Sequence, residues 1–377
     1  MLCGSHEDAS MRTIRTVGIR GAGLSGLSMA RALIKARPEL SISVYDLRPR
    51  LPHPQRTFCF FKPRAINLDY LPRYEWPSIA FRSSTFSRTL DVSSNPYTLI
   101  RGDDFFDYTL RDLEHSGVIF HWDCQKVLIG SDWIETEIIK TRFDLVIDAA
   151  FCSSGAKSSM WQSFAGMWVE TEQPVFDPTV ATLMDLKGSS VEAPVSFIYV
   201  LPTTPHSALI EHTTFSPAPL PEQHHLERCR DWLDSQTQSN FQIKNSEHGI
   251  IPMGLIIDKQ RENKLIVGSN AGAVRPATGY AFAATLRHTT ELARSILDGK
   301  AASRYPHPRL IQYGDKLFLR ALRRDPLNGG YILGRLLERS PEKSLIAFLS
   351  GEPSWSEAIS VWCSVPKLTM LRSLIRI

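Results

Sequence analysis

The chain has 377 residues, 43% of them hydrophobic and 22% charged, with a formal net charge of +4. That length holds two or three domains around a large core, and the nearly balanced charge excludes a dedicated nucleic-acid binder. The six cysteines (Cys3, Cys59, Cys124, Cys152, Cys229 and Cys363) form no CxxC pair, so neither a metal site nor a disulfide framework is expected, and a reducing cytoplasm fits.

The first residues, MLCGSHEDAS, lack the apolar core of a signal peptide, and Met11 is a candidate true start. No uncharged apolar run reaches the ~18 residues of a membrane-spanning helix. From Thr16 a short β-branched strand runs into Gly21-Ala22-Gly23-Leu24-Ser25-Gly26, an apolar-faced helix follows to about Ala36, and a second strand spans Ser41 to Tyr45. This is a βαβ unit with a GxGxxG turn. Gly21 permits the tight turn, Gly23 clears the backbone for a pyrophosphate, and Gly26 lets the helix pack close to the strand. The helix start turns unpaired N–H groups and the positive end of its dipole toward the phosphates. Asp46, twenty residues after Gly26, is placed to accept hydrogen bonds from an unphosphorylated ribose, which favours FAD or NAD over NADP.

Next comes TFCFFKP, whose Phe58, Phe60 and Phe61 read either as a loop pinned by aromatic packing or as a wall of a ligand pocket. Tyr97 to Arg101 reads as a strand, followed by a helix from about Asp103 to His115. Arg101 is either a surface charge or a phosphate contact. Strands are expected over Val118–His121, Trp133–Ile139 and Phe143–Ala150, the last a nearly continuous apolar run suited to a buried parallel strand.

From Trp161 aromatic strand-like segments separated by prolines predict a second, antiparallel sheet. Within it Glu211 and His212 follow an apolar run, and strand alternation sends one of them inward. A helix is expected from Pro221 to Ser235. A strand over Leu265–Gly268 then feeds the small residues Ser269 to Tyr280 and a long helix to about Leu297, a second place where backbone N–H groups meet an anion. Two such sites suit a flavin dinucleotide better than a free NAD. The C-terminal stretch predicts helices near Leu310–Arg324, Ile332–Arg339, Leu345–Leu349 and Ser364–Ile377. From Ala301 onward twelve Lys/Arg face six Asp/Glu, and the final stretch sets Lys367, Arg372 and Arg376 among Leu368, Met370, Leu371, Leu374 and Ile375. Such a helix either lies on an anionic membrane surface or docks on the protein itself.

The expected fold class is therefore α/β: a Rossmann-type FAD-binding domain from residues 11–160 and 246–300, an inserted antiparallel-sheet substrate region at 161–245, and a basic helical region at 301–377.

Taken together, GAGLSG with Asp46, TFCFFKP, FIYVLP, ALIEHTTFS, EHGIIPM and GSNAGAVRPATGY resemble, in order, the flavin-dependent lycopene cyclases of bacterial carotenoid biosynthesis. The chain departs from that pattern where Glu211 is followed by His212 rather than a second acid, where PATGYA replaces PTTGYS, and where the return strand ends in Asp148-Ala149-Ala150 rather than glycines. The resemblance implies a non-redox closure of the acyclic end of lycopene to a β-ionone ring. Reduced FAD, with NAD(P)H as reductant, stabilises the cation in such enzymes. It implies Glu211 as general acid, with His212 or the flavin taking the proton back and Glu247 as a second carboxylate. It also implies Gly21, Gly23, Gly26, Asp46, Arg101, Gly272, Pro276, Gly279 and Tyr280 as flavin-binding residues, and a carotenoid substrate met at the membrane surface. Alternatives are an FAD-dependent monooxygenase or prenyl reductase of the same fold, or an inactive flavin- or carotenoid-binding homologue.

Overall fold

The computed structural model describes residues 14–52, 56–62, 66–151, 158–255, 265–300 and 306–375. Cys3, Met11, Cys152 and Arg376 lie outside the described residues.

The amino end builds β1 (Thr16–Arg20), α1 (Leu24–Ala36) and β2 (Ser41–Tyr45), then β3 (Thr57–Phe61), β4 (Tyr74–Trp76), β5 (Ser78–Arg82), β6 (Ser87–Asp91) and β7 (Tyr97–Arg101). Helix α2 (Gly102–His115) leads to β8 (Ile119–His121), a meander of β9 (Leu128–Ile129), β10 (Trp133–Glu135) and β11 (Lys140–Arg142), and β12 (Leu145–Asp148). The long strands β13 (Ser158–Thr171), β14 (Val180–Leu186), β15 (Val195–Thr204) and β16 (Ser207–Ser216) precede α3 (Glu222–Gln236) and β17 (Phe241–Leu255). Strand β18 (Leu265–Ile266), a 3-10 turn (Gly268–Ala271) and α4 (Phe282–Leu297) complete the nucleotide fold. Among the described residues that follow are five helices: α5 (Arg309–Arg324), α6 (Gly329–Arg339), α7 (Glu342–Ser350), α8 (Trp355–Cys363) and α9 (Lys367–Ile375).

Strands β18-β12-β1-β2-β8 form one parallel sheet. Its strands are β-branched and buried because α1 and α4 pack on it, enclosing Ile19, Leu27, Leu33, Val44, Ile147 and Leu292. The expected strand at Phe143–Ala150 is the shorter β12. The one at Trp133–Ile139 stops at Glu135, where the chain turns back into β11 to form a separate three-stranded sheet.

The second large sheet has the order β17-β13-β16-β15-β14-β5-β6. It takes β5 and β6 from outside 161–245 and runs on to Leu255, so it is not one contiguous insertion. It is antiparallel except where β14 pairs parallel with β5. One face is covered by α3, through Met167, Ile198, Val200, Ile210, Cys229, Trp232 and Leu233. The other shares a core with the C-terminal helices, in which Leu183, Val195, Leu201 and Phe215 meet Leu319, Leu322, Leu337 and Phe348. The basic region is thus packed onto the seven-stranded sheet. Arg88 of β6 helps fix it there, donating to the carbonyls of Leu337, Glu338 and Ser340 at the end of α6.

Thr57–Phe61 is a strand rather than a loop: β3 pairs antiparallel with β7 in a small sheet, β3-β7-β4, between the two large ones. Helix α8 was not expected, although Ser354 and Glu357 form a complete capping box at its start.

Candidate active site

The turn after β1 has the geometry its glycines require. A Cβ on Gly26 would stand 1.8 Å from the Gly21 carbonyl oxygen, so α1 approaches β1 only because that Cβ is missing. Over Gly23 there is open space, the nearest atom being a terminal nitrogen of Arg48 at 3.9 Å. No side chain caps α1 at Gly23, so its first turn faces that space. Asp46 is buried at the end of β2 and accepts from the Ala22 N–H at 2.6 Å and from the Arg48 guanidinium at 2.8 and 3.0 Å. Burial alone would raise this carboxyl; the hydrogen bonds from Arg48 and Ala22 outweigh it and hold Asp46 below the usual carboxylate range.

A cavity of about 810 Å³ starts at this turn and runs between β3 and the seven-stranded sheet. Gly21, Gly23, Ser25, Asp46 and Arg48 line one end; Gly279, Tyr280, Phe197, Tyr199, Glu211 and Glu247 line the other. Of the second anion-site residues, Gly279 and Tyr280 face the cavity with Ser269 and Thr278, whereas Gly272 and Pro276 belong to the same loop but not to the wall. That loop is anchored from behind. Arg275 is buried, pairs with Asp315 of α5 at 3.1 and 3.3 Å, donates to the Phe348 carbonyl and lies over the Phe348 ring. Gly279 (φ +72°) sits against Gln162, whose amide oxygen is buried and has no hydrogen-bond partner among the described residues. The three phenylalanines divide between their two readings. Phe58 lines the cavity and stacks on Phe282 at 4.7 Å, while Phe60 and Phe61 are buried in the cores.

Alternation on β16 resolves the neighbours Glu211 and His212. Glu211 shares the cavity face with Leu209 and Thr213 and accepts from the Thr213 hydroxyl at 2.6 Å. Its side chain borders the cavity yet lies deep inside the protein. Burial, then the charge of Glu247, pushes its carboxyl up to about 8, against the opposing hydrogen bond from Thr213. His212 faces the other way, under α3. Its Nδ1 is 2.9 Å from His225 Nδ1 and its Nε2 is 2.9 Å from Ser196 Oγ. Burial and the neighbouring His225 lower it to about 3, so it is neutral at ordinary pH and has no route to the cavity.

Glu247, on β17, lines the same cavity and accepts from the Thr57 hydroxyl at 2.5 Å. Burial raises its carboxyl, opposed by hydrogen bonds from Thr57 and Trp168 and by the charges of Arg101 and Arg56. Arg101 does not reach the cavity wall; its guanidinium lies over the Trp168 ring at 5.7 Å. The arginines on the wall are Arg20, Arg48 and Arg56, and of these Arg56 acts on Glu247. Arg56 and Gln162 belong to no motif, and nothing in their local spacing singles them out.

The chain and its fold have known relatives. A family model described as "Lycopene cyclase protein" matches residues 17–375. The lycopene beta-cyclase of Paracoccus sp. is 24% identical over 381 residues, covering 93% of this chain and 94% of the relative. The lycopene beta cyclase of Synechococcus elongatus is 23% identical over 306 residues, covering 75% of this chain and 72% of the relative. Among solved structures, 2-methyl-3-hydroxypyridine-5-carboxylic acid oxygenase superposes with a TM-score of 0.54 at 14% identity, covering 91% of this chain and 99% of that one. A flavin-dependent halogenase from Xanthomonas campestris gives 0.56 at 10% identity, covering 97% and 90%. At these identities the likeness to solved structures is one of fold, a Rossmann-type flavoprotein architecture. The family match runs from the first strand to the last helix, and this chain therefore belongs to the lycopene cyclase family.

Proposed function

We propose that this enzyme closes the acyclic end of lycopene to a β-ionone ring, without net redox change, by protonation from Glu211. The observation that carries the reading is a single cavity with a dinucleotide turn at one end and a carboxyl that stays protonated near neutrality at the other. The open space over Gly23 and the unpartnered Gln162 oxygen fit FAD: the first would leave room for a pyrophosphate, and the second could accept from an N–H of the bound group. Gly21, Gly23, Gly26, Asp46, Gly279 and Tyr280 would hold it, with Gly272 and Pro276 shaping the loop and Arg101 acting behind the wall. Reduced FAD, with NAD(P)H as reductant, supplies negative charge beside a cation.

Glu211 gives its proton to the terminal alkene. Phe197, Leu209, Leu183 and Phe164 exclude water from the cation that an internal double bond then attacks. The faces of Phe58 and Tyr280 favour positive charge. Expression in a lycopene-accumulating bacterial host tests this: β-ringed carotene replaces lycopene if the reading holds. Unchanged lycopene beside folded, flavin-loaded protein, or an oxygenated pigment, contradicts it.

A C40 hydrocarbon dissolves only in the bilayer, and no helix among the described residues is long and apolar enough to cross one. We place the protein in the cytoplasm, peripheral on the membrane. Leu368 and Leu371 of α9 are 72% and 55% exposed beside Lys367 and Arg372; Trp355 and Ile359 of α8 are 70% and 50% exposed. An exposed apolar and basic face of this kind suits an anionic lipid surface. The full chain is expected to float with vesicles containing anionic lipid, and the double variant Leu368→Glu, Leu371→Glu to stay below. Equal flotation of both, or of neither, contradicts this docking.

A further inference from the structure

We infer that Glu247 is the base that takes the ring proton, acting with Glu211 as an acid and base pair across Gly166. The inference rests on the cyclase reading above. Strand β13 lies between β16 and β17, and Gly166 is in register with Glu211 on one side and Glu247 on the other. The two backbones therefore stand about 9.5 Å apart, two strand spacings of ~4.8 Å, with their side chains on the same face. Any larger residue at 166 would fill the gap between them; a Cβ alone would come within 3.2 Å of Glu211 Cβ and 3.0 Å of Leu209 Cδ1. Because position 166 has no side chain, Leu209 and Glu211 pack over it, between the strands that carry the two carboxyls.

The surroundings make the pair unequal. Glu247 has the Thr57 hydroxyl, Trp168 and the charges of Arg56 and Arg101 on its side, all favouring the anion. Glu211 has one hydroxyl, Thr213, and no cation among its determinants. The other ionisable groups facing the pair, Cys59, Tyr199 and Tyr280, are pushed upward by burial and stay neutral. Of the two, Glu211 holds its proton more firmly, and Glu247 is the one whose surroundings favour the anion. In the reaction, the Glu211 proton passes to the terminal alkene carbon and the internal alkene pair closes the C–C bond. A ring C–H pair then becomes the new double bond as its proton goes to Glu247; release of that proton to solvent and uptake of a solvent proton by Glu211 restore the start. The opposite face of the sheet offers no rival, since His212 is neutral and bonded to His225 and Ser196.

The test uses the flavin-loaded enzyme with lycopene in D2O. Glu247→Gln is expected to keep its flavin and to lose about 10²–10⁴-fold in turnover. Recovered lycopene should carry more solvent deuterium than with the wild type, because protonation continues while its completion fails. Thr57→Val leaves Glu247 in place and removes a hydrogen bond that lowers its pKa, so the acidic limb of the kcat/KM profile should move to higher pH. Wild-type turnover in Glu247→Gln, or lost turnover with no added deuterium and an unmoved acidic limb in Thr57→Val, overturns the inference. A wild-type enzyme that leaves lycopene unchanged overturns the cyclase reading instead.

Discussion

Replacing Glu211 by glutamine is expected to lower lycopene turnover by about 10²–10⁴-fold, the usual worth of a positioned general acid, while flavin content stays as in the wild type. The amide keeps the size and the Thr213 hydrogen bond of the side chain but has no proton to give. The same variant has an effect on stability that a surface glutamate would not show. In the folded chain the carboxyl titrates near 8, against an ordinary 4.5. Between those values the native state holds a proton that the unfolded chain has released, so wild-type stability falls as pH rises through the window. The slope is ~1.4 kcal/mol per pH unit and the total no more than about 5 kcal/mol. Glu211→Gln removes that slope. Its melting temperature should match the wild type near pH 4.5 and exceed it above pH 8; a difference independent of pH would mean that the carboxyl is not buried as described.

The second large effect lies away from the chemistry. Asp315→Ala leaves Arg275, 1% exposed, as an uncompensated charge between α5 and α7. Breaking a buried pair by removing one partner costs about 3–5 kcal/mol, readable as a lowered melting temperature. Arg275 begins the loop that carries Gly279 and Tyr280 to the cavity, and Asp315 also accepts from the Ala277 N–H. Flavin affinity should therefore fall together with stability. A variant that melts and binds flavin like the wild type would show that this loop needs no anchor.

What could be read from the residues was what is local. The GxGxxG turn, its helix and Asp46 sit within one βαβ unit, and their roles follow from spacing that no distant segment alters. Alternation likewise required one of Glu211 and His212 to point inward. It did not say which, because the answer depends on what covers each face: α3 brings His225 and Cys229 over His212, and β3 brings Cys59 toward Glu211. TFCFFKP looked like a loop because its partner, β7, lies about forty residues on. The pairing of β5 with β14 joins segments about a hundred residues apart, which hid two strands of the second sheet. The facing of Glu211 and Glu247 across Gly166 is a matter of register between strands distant in sequence, and local periodicity carries no trace of it. Helix α8 is the opposite case, since Ser354 and Glu357 announced it.

The most direct measurement is the mass and stoichiometry of the product formed by the purified, flavin-loaded protein from lycopene in D2O. Protonation by Glu211 without net redox predicts a β-ringed carotene carrying one solvent deuteron for each ring closed, with reductant needed only in catalytic amount. A product that has gained oxygen or reductant-derived hydrogen, with NAD(P)H consumed mole for mole, would contradict the account.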